Sequence, residues 1–395
     1  MGSCFDNAPD RLGTNSLKWT LYPADVLPLW VADMDFPAPE PVRDALRRAI
    51  DHGVFGYELP TRRLREAVAA RMQRLYGWEV SPEWVVATPG VVAGFGVATR
   101  SVCKPGDGVL VQPPVYPPFL KVAPNNEAVT QLAPLCEVDG GPHVRYEIDW
   151  TIFANSIHST AVKTALFLLC HPHNPTGQVY STDELRRMAE LCLEKEVTIC
   201  SDEIHSELLL GTATHTPLAK LDPAIARQTI TLVSPSKTFN QVGLFCGLAI
   251  IPDSRLRVSY RRVLEHQAMH VNSLGLIAAE VAFSGACDDW LKDLRDYLTA
   301  NRNFIVEYVE KQLPGIRVTV PDASYLAWMD CREWIRNAGL TVSPYEFLLK
   351  HAKVALNPGE EFGTGGTNFV RLNFACPRSR LEEALRRIRN AVVGT

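Results

Sequence analysis

The side chains best suited to chemistry in this sequence follow runs of apolar residues. Lys237 lies in Ser234-Pro-Ser-Lys-Thr-Phe-Asn240, directly after the β-branched run 229–233. Such a run predicts a buried strand, and ligands of open α/β sheets bind at the carboxyl ends of strands. A lysine there can form a Schiff base with a carbonyl cofactor, while the hydroxyls of Ser234 and Ser236 bind a phosphate. Alone, this pattern is more typical of a lysine in a solvated loop, so the residues upstream decide the interpretation.

Three further polar side chains follow other predicted strands. The apolar run 165–170 leads into a loop that carries Asn174, and the run 197–200 leads into Asp202 and His205. A carboxylate beside a pyridine nitrogen keeps that nitrogen protonated, which turns the ring into an electron sink. We therefore expect Asp202 to bind the ring nitrogen of a cofactor and Asn174 to bind its ring hydroxyl.

An anion site is predicted where the strand 83–88 turns into a helix at Gly90. Glycine allows the backbone N–H groups of Val91 and Val92 to approach a phosphate at the helix N-terminus. The Gly-x-Gly-x-x-Gly spacing of a dinucleotide site is absent from this segment. Combined with the strand-end residues, the turn fits pyridoxal phosphate, whose aldehyde would react with Lys237.

Two more residues are candidates for contacts with cofactor or substrate. Tyr116 lies in the proline-rich loop after the predicted strand 108–112, where it either packs in the core or offers its ring to a flat ligand. Arg371 lies in the predicted strand 369–374 and would bind a substrate carboxylate through two parallel hydrogen bonds. The alternative for Arg371 is a charged residue on the surface of that strand.

Composition restricts the class of protein. The chain has 395 residues, of which 46% are hydrophobic and 21% are charged, which is ordinary for a globular protein of two domains. Lys and Arg total 40 against 44 Asp and Glu, giving a net charge of −4. This balance offers no electrostatic reason to expect nucleic acid or an anionic membrane as a partner. We therefore expect a small-molecule partner.

The ten cysteines are scattered, and no Cys-x-x-Cys pair supports a zinc or thioredoxin-type site. Several lie in apolar segments, where free thiols behave as small hydrophobic groups, which indicates a reducing compartment. The N-terminus has no apolar signal core, so we expect a cytoplasmic protein. Asp33 and Asp35 have no cluster of further oxygen ligands near them in sequence. We therefore favour structural capping over metal binding for this pair and predict no metal.

The order of predicted elements indicates the fold class. Strands and helices alternate through the first 285 residues, which favours an α/β fold with a mainly parallel sheet. From about residue 286 the pattern changes to a long helix, short strands and a final helix. We expect a large cofactor-binding domain over 50–285, and a smaller α+β domain formed by 1–49 and 286–395.

The order of these motifs resembles that of fold-type-I pyridoxal-phosphate enzymes in the class I/II aminotransferase superfamily. The motifs are Gly90-Val-Val, Tyr116, Asn174-Pro-x-Gly177, Asp202-Glu203, Ser234-x-Ser-Lys237 and Arg371-x-Asn373. A closer similarity, over nearly the whole chain, is to the MalY/PatB branch of cystathionine β-lyases, the C–S lyases. It is carried by Pro28-Leu-Trp-Val-Ala-Asp-Met-Asp-Phe36, Asp202-Glu-Ile-His205, Ser234-Pro-Ser-Lys-Thr-Phe-Asn240 and Arg371-Leu-Asn-Phe-Ala-Cys-Pro377.

The resemblance implies roles for residues that the patterns alone leave open. It implies a homodimer in which Tyr57 reaches the phosphate in the partner subunit's site. Its catalytic residues would be Lys237, Tyr116 and Asp202. Its cofactor contacts would be Gly90, Val91, Val92, Tyr116, Asn174, Asp202, His205, Ser234, Ser236, Lys237 and Tyr57, and its substrate contacts Arg371, Ala32 and Tyr57.

Four positions bear on the reaction type. Phe245 and His205 replace an arginine and a tyrosine of ordinary aminotransferases, as is usual in the lyases. His171 and Gln178 depart from the lyase pattern itself, which has asparagine and arginine there, and so leave the substrate open.

The resemblance implies α,β-elimination from cystathionine or another L-cysteine S-conjugate, giving thiol, pyruvate and ammonia. Lys237 would remove the Cα proton while Arg371 binds the α-carboxylate. Alternatives are an aminotransferase, which shares every cofactor residue, and a pathway-specific or decarboxylating enzyme acting on a cysteine S-conjugate. A cofactor-binding regulatory protein is a further alternative, although the intact Lys237, Asp202 and Arg371 argue against that as its only role.

Overall fold

The computed structural model describes residues 3–138 and 140–394. The strands are β1 Leu27–Pro28, β2 Val85–Thr88, β3 Gly108–Val111, β4 Val129–Leu132, β5 Leu135–Val138, β6 His143–Ile148, β7 Thr164–Cys170, β8 Thr198–Asp202, β9 Thr229–Val233, β10 Gly247–Ile250, β11 Arg317–Thr319, β12 Leu326–Asp330, β13 Val354–Ala355, β14 Asn357–Pro358 and β15 Phe369–Asn373. The helices are α1 Leu17–Thr20, α2 Glu40–His52, α3 Arg62–Tyr76, α4 Val91–Val102, α5 Pro117–Val122, α6 Trp150–Ile157, α7 Thr182–Glu194, α8 Pro223–Arg227, α9 Pro235–Thr238, α10 Ser254–His266, α11 Ser273–Phe283, α12 Asp288–Gln312, α13 Arg332–Asn337, α14 Pro344–Phe347 and α15 Arg378–Val393.

The central sheet has seven strands in the order β2-β10-β9-β8-β7-β3-β4. Strands β9, β8, β7, β3 and β4 run parallel, and only β10 is antiparallel to its neighbours β9 and β2. Every residue of β3, β7 and β9 is buried, as expected for strands covered on both faces. The predicted mainly parallel α/β sheet is therefore confirmed.

The register of this sheet aligns the strand ends that carry the candidate residues. Cys170 at the end of β7 lies opposite Asp202 at the end of β8, and Asp202 lies opposite Leu232 in β9. The chain leaves all three parallel strands at the same edge of the sheet. The loops that follow them therefore converge at that edge, as the sequence pattern predicts.

A second sheet of six strands has the order β14-β15-β12-β11-β6-β5. The hairpin of β5 and β6 joins it through parallel pairing of β6 with β11. This hairpin falls within the range 50–285 that the sequence pattern assigns to the large domain, although its strands pair with the C-terminal sheet. The domain boundaries themselves remain a prediction.

Helix boundaries follow the sequence signals closely. The apolar stripe of residues 39–52, followed by glycine, predicts a helix, which forms as α2, and Gly53 ends it in the left-handed region at φ 75°. The sequence Ser181-Thr-Asp-Glu184 predicts a capping box, which begins α7, since each side chain accepts from the other residue's backbone N–H. Local capping chemistry therefore accounts for the C-terminal end of α2 and the N-terminal end of α7.

The apolar residues of the segment 28–36 predict a short strand, and the structure differs from this prediction. Only Leu27–Pro28 pairs as a strand, with β13. From Trp30 onward the main chain is irregular, and side chains rather than a neighbouring strand bind most of its carbonyl groups. Asn373 Nδ2 donates to the carbonyls of Val31 and Asp33 at 2.7 and 2.9 Å. Side-chain donors therefore replace a sheet ladder here.

None of the helices in the described ranges combines the length and apolar character needed to cross a bilayer.

Candidate active site

Lys237 lies in a single helical turn, where the sequence predicts a loop. Pro235 occupies the first position of α9, and Ser234 caps the turn by accepting from the backbone N–H of Ser236 at 3.1 Å. Serine at the N-cap and proline at the first helical position both favour such a turn. The Ser234 hydroxyl also donates to the carbonyl of Cys246 at 2.7 Å, which anchors the turn to the start of β10.

The Lys237 amine is positioned and its pKa is lowered. Its Nζ donates to the carbonyl oxygen of Ala32 at 2.7 Å. Burial, together with the charge of Arg371, lowers the pKa of Lys237 to about 8, although Asp33 and Asp202 act in the opposite direction. A lysine with such a pKa supplies neutral amine near neutral pH, as a nucleophile or proton acceptor requires.

The segment that carries Ala32 is held in place from several sides. Asn240 Nδ2 donates to two of its carbonyls, at 3.1 and 2.6 Å, and the Tyr325 hydroxyl donates to the Ala32 carbonyl at 3.2 Å. Asp35 is buried and ion-paired with Lys18 at 3.0 Å, which with its other cationic partners holds the pKa of its carboxyl below the ordinary value although burial opposes this. Asp35 therefore has a structural role, but through buried ion pairs rather than through the capping that the sequence favours.

Asp202 presents a buried carboxylate at the end of β8. One oxygen accepts from the backbone N–H of Ile204 at 3.1 Å, and no ion pair among the described residues involves this side chain. Burial raises the pKa of Asp202 to about 7, and the charge of Lys237 moderates the effect. A buried carboxylate in this setting is stabilised by a cationic N–H donor. A protonated ring nitrogen is such a donor.

Asn174, Tyr116 and Arg371 meet at the same edge of the sheet. The Tyr116 N–H donates to the Asn174 carbonyl at 3.0 Å, and the Asn174 side-chain oxygen accepts from Arg371 Nη1 at 3.1 Å. Burial raises the pKa of Tyr116, while the charge of Arg371 lowers it and that of Asp202 raises it. The phenol therefore lies within electrostatic reach of both charged groups.

Arg371 is a buried cation without an anionic partner. It is 4% exposed, and no ion pair among the described residues includes it. Burial lowers its pKa to about 10, although Tyr116 and Tyr325 raise it. Its acceptors are Asn174, the Asn357 side-chain oxygen at 2.5 Å and the Trp30 carbonyl at 3.2 Å, all neutral. A guanidinium in this setting is suited to a carboxylate ligand.

The predicted anion turn lies beside the Lys237 turn. Gly90 has φ 96° and directly precedes α4, whose first residue is Val91. A Cβ on Gly247 would come within 2.9 Å of the Gly90 carbonyl carbon and 3.1 Å of the Val91 nitrogen. Ser234 in turn donates to the carbonyl of the residue before Gly247. The α4 N-terminus and the Ser234 hydroxyl are therefore neighbours, as a phosphate site requires.

His205 is buried within electrostatic reach of Lys237 and Arg371. Its ring meets the edge of Tyr325 with centroids 6.2 Å apart, and its Nδ1 has no hydrogen-bond partner among the described residues. Burial and the charges of Lys237 and Arg371 lower the pKa of His205 to about 3. The imidazole is therefore neutral at this site.

Two predicted site residues have side chains that are not enclosed in this cluster. Tyr57 is fully exposed, at 104% of its reference area, in the irregular segment 53–60. Val92 is 47% exposed on the outer side of the α4 N-terminus. Within one chain neither side chain is enclosed with Lys237.

The two departures from the lyase pattern lie apart from Lys237 and Arg371. His171 is buried with its ring stacked on His215 at 4.4 Å. Gln178 lines a separate cavity of about 470 Å³ together with Thr319 and Asp322. None of the side chains that contact Lys237 or Arg371 lines this cavity. The side chains of His171 and Gln178 are therefore outside the hydrogen-bonded cluster described above.

Sequence reasoning missed three groups at this site, namely the Asn357 side chain, the Trp30 carbonyl and the Tyr325 hydroxyl. Asn357 follows an apolar run, as several predicted site residues do, but no other feature of the sequence assigns it to the site. Trp30 and Tyr325 lie in apolar segments whose pattern predicts ordinary strands. The hydrogen bond of the Trp30 carbonyl also has no sequence signal, because every residue has a main-chain carbonyl.

The residues present fit pyridoxal phosphate. Asp202 offers an unpaired buried carboxylate, Lys237 an amine of lowered pKa, and the α4 N-terminus with Ser234 an anion site. Within the described residues no group of His, Cys, Asp or Glu could hold a metal ion.

Comparison with known proteins agrees with this site. The profile of the family "Aminotransferase class I and II" matches residues 24–388. The cystathionine β-lyase PatB of Bacillus subtilis is 40% identical, with 98% of this chain and 99% of the relative covered. The cystathionine β-lyase of Corynebacterium glutamicum is 34% identical over 97% of this chain and 98% of its own. The PLP-bound C–S lyase of Staphylococcus hominis superposes with a TM-score of 0.92 at 32% identity, covering 98% of each chain.

The chain belongs to the class I and II aminotransferase family and has its fold-type-I architecture. Within that family it belongs to the PatB/MalY-type group of cystathionine β-lyases. The resemblance drawn from the sequence motifs is thereby confirmed.

Proposed function

We propose that the protein is a pyridoxal-phosphate-dependent C–S lyase that releases a thiol from an L-cysteine S-conjugate. The observation that carries the substrate class is the buried Arg371 guanidinium, which has no carboxylate partner among the described residues and lies close enough to Lys237 to lower its pKa. An amino acid supplies both a carboxylate for Arg371 and an amine for the reacting centre. The reaction class rests on relatives of 34–40% identity that are cystathionine β-lyases over their full length.

The side chains divide the work of elimination. Pyridoxal phosphate, when bound, supplies an electron sink for negative charge at the substrate Cα. Arg371 binds the α-carboxylate and so orients the Cα–H bond. The neutral Lys237 amine accepts the Cα proton, and Asp202 keeps the ring nitrogen protonated. The Cβ–S bond then breaks with its electron pair on sulfur, and the released aminoacrylate hydrolyses to pyruvate and ammonia.

The remaining site residues hold the cofactor. Ser234, Ser236 and the N–H groups of Val91 and Val92 after the Gly90 turn would bind the phosphate, because an anion is stabilised at a helix N-terminus. Asn174 would donate to the ring hydroxyl while its oxygen keeps Arg371 in place. Tyr116 would contact the cofactor near its ring, and neutral His205 would border it from the Tyr325 side.

We propose a homodimer in which Tyr57 completes the partner's site. The segment 53–60 exposes Val54, Phe55, Tyr57 and Leu59 by 59–104%. A run of exposed apolar side chains of this kind marks an interaction surface. We infer that a second copy of this chain covers this surface, because Tyr57 is fully exposed and Val92 at the anion turn is half-exposed. Ala32 and Tyr57 would then border the substrate together with Arg371.

Hybrid dimers test this arrangement. Lys237→Ala and Tyr57→Ala chains, each with its own affinity tag, are co-expressed, and the doubly tagged dimer is isolated. One of its two sites then combines an intact Lys237 with an intact Tyr57, so we expect about half of the wild-type activity per dimer. If the hybrid is no more active than the Tyr57→Ala homodimer, Tyr57 does not act across the interface.

We further propose a cytoplasmic location. All ten cysteines are free, seven of them buried, and free thiols persist in reducing compartments.

We also propose that the chain divides into a large domain over 50–285 and a small domain over 1–49 and 286–395. Limited proteolysis that releases a stable core bounded near residues 50 and 285 would support this division.

The substrate is tested with a panel of S-substituted L-cysteines, from cystathionine to bulky aromatic conjugates, each assayed for released thiol. We expect thiol release from at least one member. Absence of thiol from every conjugate, with the cofactor fully bound, would contradict the proposed function.

A further inference from the structure

Asn357 lies directly beside the predicted carboxylate-binding arginine. Strand β14 pairs antiparallel with β15, and Asn357 is the residue opposite Arg371. Directly opposite residues in an antiparallel pair project to the same face of the sheet. The Asn357 side-chain oxygen accepts from Arg371 Nη2 at 2.5 Å, and the Trp30 carbonyl accepts from the same nitrogen at 3.2 Å.

The hydrogen bonds of the guanidinium leave one edge open. Nη1 donates to Asn174, Nη2 donates to Asn357 and Trp30, and the buried Nε has no partner among the described residues. A planar guanidinium binds a carboxylate side-on through Nε–H and the adjacent Nη2–H. In this structure Asn357 and the Trp30 carbonyl occupy both N–H groups of Nη2, so Nε–H is the unengaged donor on that edge.

We propose that Asn357 is a positioning residue that selects the α-carboxylate of the substrate, an inference that rests on the proposed function. Its neutral amide fixes the plane of Arg371 through the side-chain oxygen. Its Nδ2 makes no hydrogen bond within the described residues, so it is available as a donor to the same carboxylate that Arg371 binds. The carboxylate thus meets two unengaged donors, Nε of Arg371 and Nδ2 of Asn357.

The neutrality of this side chain is essential to the inference. A carboxylate at position 357 would pair with Arg371, because a buried cation held only by neutral acceptors gains most from an anion. That internal pair would occupy the site of the substrate carboxylate and repel it. Removing the amide would instead leave Arg371 held only by its longer bonds to Asn174 and Trp30. The two changes therefore have different signatures.

The test compares Asn357→Asp and Asn357→Ala with the same changes at Asn155, an exposed residue of α6. We expect Asn357→Ala to raise KM for a cysteine conjugate roughly tenfold, as the loss of one hydrogen bond to a charged group implies. We expect Asn357→Asp to raise KM about a hundredfold. Both variants should retain the visible absorbance of the bound cofactor, and kcat should change less than KM.

Two readouts do not depend on elimination. The first is the dissociation constant of L-alanine, followed through the visible spectrum, which should weaken in the same order as KM. The second is the thermal midpoint of the holoenzyme, which Asn357→Asp should raise and Asn357→Ala should not, because only the former gives Arg371 an anionic partner.

These readouts separate the inference from the proposed function. A wild-type enzyme that binds L-alanine but releases no thiol refutes the proposed function and still allows Asn357 to be tested. If L-alanine binds all four variants within twofold of wild type, or if the Asn357→Asp holoenzyme is no more stable than Asn155→Asp, the inference fails. Equal losses for a cysteine conjugate and its methyl ester, which lacks the carboxylate charge, would also overturn it, since a merely structural role affects both.

Discussion

The Lys237 amine lies 2.7 Å from the carbonyl oxygen of Ala32, although the two residues are 205 positions apart in the chain. The N-terminal segment therefore covers the reactive lysine, and Asn240 and Asn373 fix the carbonyls on either side of Ala32. Both asparagines belong to motifs that the sequence comparison singled out. Their role in this structure is to hold the N-terminal segment against the sheet edge that presents Lys237.

Lys237→Ala should give a colourless protein. The visible absorbance of a cofactor bound covalently to a lysine requires that lysine's amine, so both colour and elimination should disappear. The control is Lys292→Ala, whose side chain is 74% exposed on α12. An alanine variant at 237 that still absorbs as a protein-linked imine would place the reactive lysine elsewhere.

The rate at which cofactor-free protein takes up pyridoxal phosphate should rise with pH around a midpoint near 8. Only the neutral amine attacks the aldehyde, and the pKa of Lys237 is lowered to about 8 from an ordinary 10.5. The neutral fraction therefore grows as the pH passes through this value. Stopped-flow absorbance measures the rate at each pH. A midpoint near 10 would mean that the lysine is not desolvated as described.

Asp202→Asn should bind cofactor but lose most of its activity. A neutral amide cannot keep the ring nitrogen protonated, and loss of a charge-assisted hydrogen bond is worth roughly 1.5–3 kcal/mol. If the lost hydrogen bond stabilises only the transition state, kcat falls by about tenfold to over a hundredfold. Steady-state kinetics on cofactor-saturated protein measure the effect, with the exposed Asp296→Asn as control. Turnover close to wild type would rule out the assigned role of Asp202.

Arg71 should be a strong stability determinant. It is fully buried and binds Glu207 at 2.7 and 2.5 Å and Asp288 at 2.8 Å, joining α3 to the loop after β8 and to α12. Arg71→Ala leaves a buried carboxylate unpaired, so we expect a loss of roughly 3–5 kcal/mol in the free energy of unfolding.

The matched control is Arg74→Ala, which removes an exposed partner of the same Asp288. An exposed ion pair contributes about 0–1 kcal/mol, so this variant should unfold near the wild-type denaturant midpoint. Similar losses in both variants would show that burial does not set the strength of these pairs.

Much of the sheet edge could be predicted because it depends on local signals. The apolar runs before Asn174, Asp202 and Lys237 are buried strands, and parallel pairing in register brings their ends together without further information. Gly90 was recognisable for the same reason, since a strand-to-helix turn at φ 96° favours glycine.

The rest depends on long-range pairing that no local pattern encodes. Asn357 reaches Arg371 only because β14 pairs with β15, and the hairpin of β5 and β6 joins a sheet whose other strands lie more than 160 residues further along the chain. The apolar residues of the segment 28–36 predict a strand, yet from Trp30 onward its carbonyls are bound by side chains such as those of the distant Asn240 and Asn373.

The most direct test of the account is the product balance of the holoenzyme with a β-thio amino acid and no 2-oxo acid. Arg371 and Lys237 position the α-carboxylate and remove the Cα proton, and sulfur is the leaving group. Thiol, pyruvate and ammonia should therefore form in equal amounts. An aminotransferase would instead need the acceptor, convert it to an amino acid and keep the carbon–sulfur bond in its keto product. Acceptor-dependent amino transfer across small and bulky conjugates, with thiol release at background, would contradict the assignment as a C–S lyase.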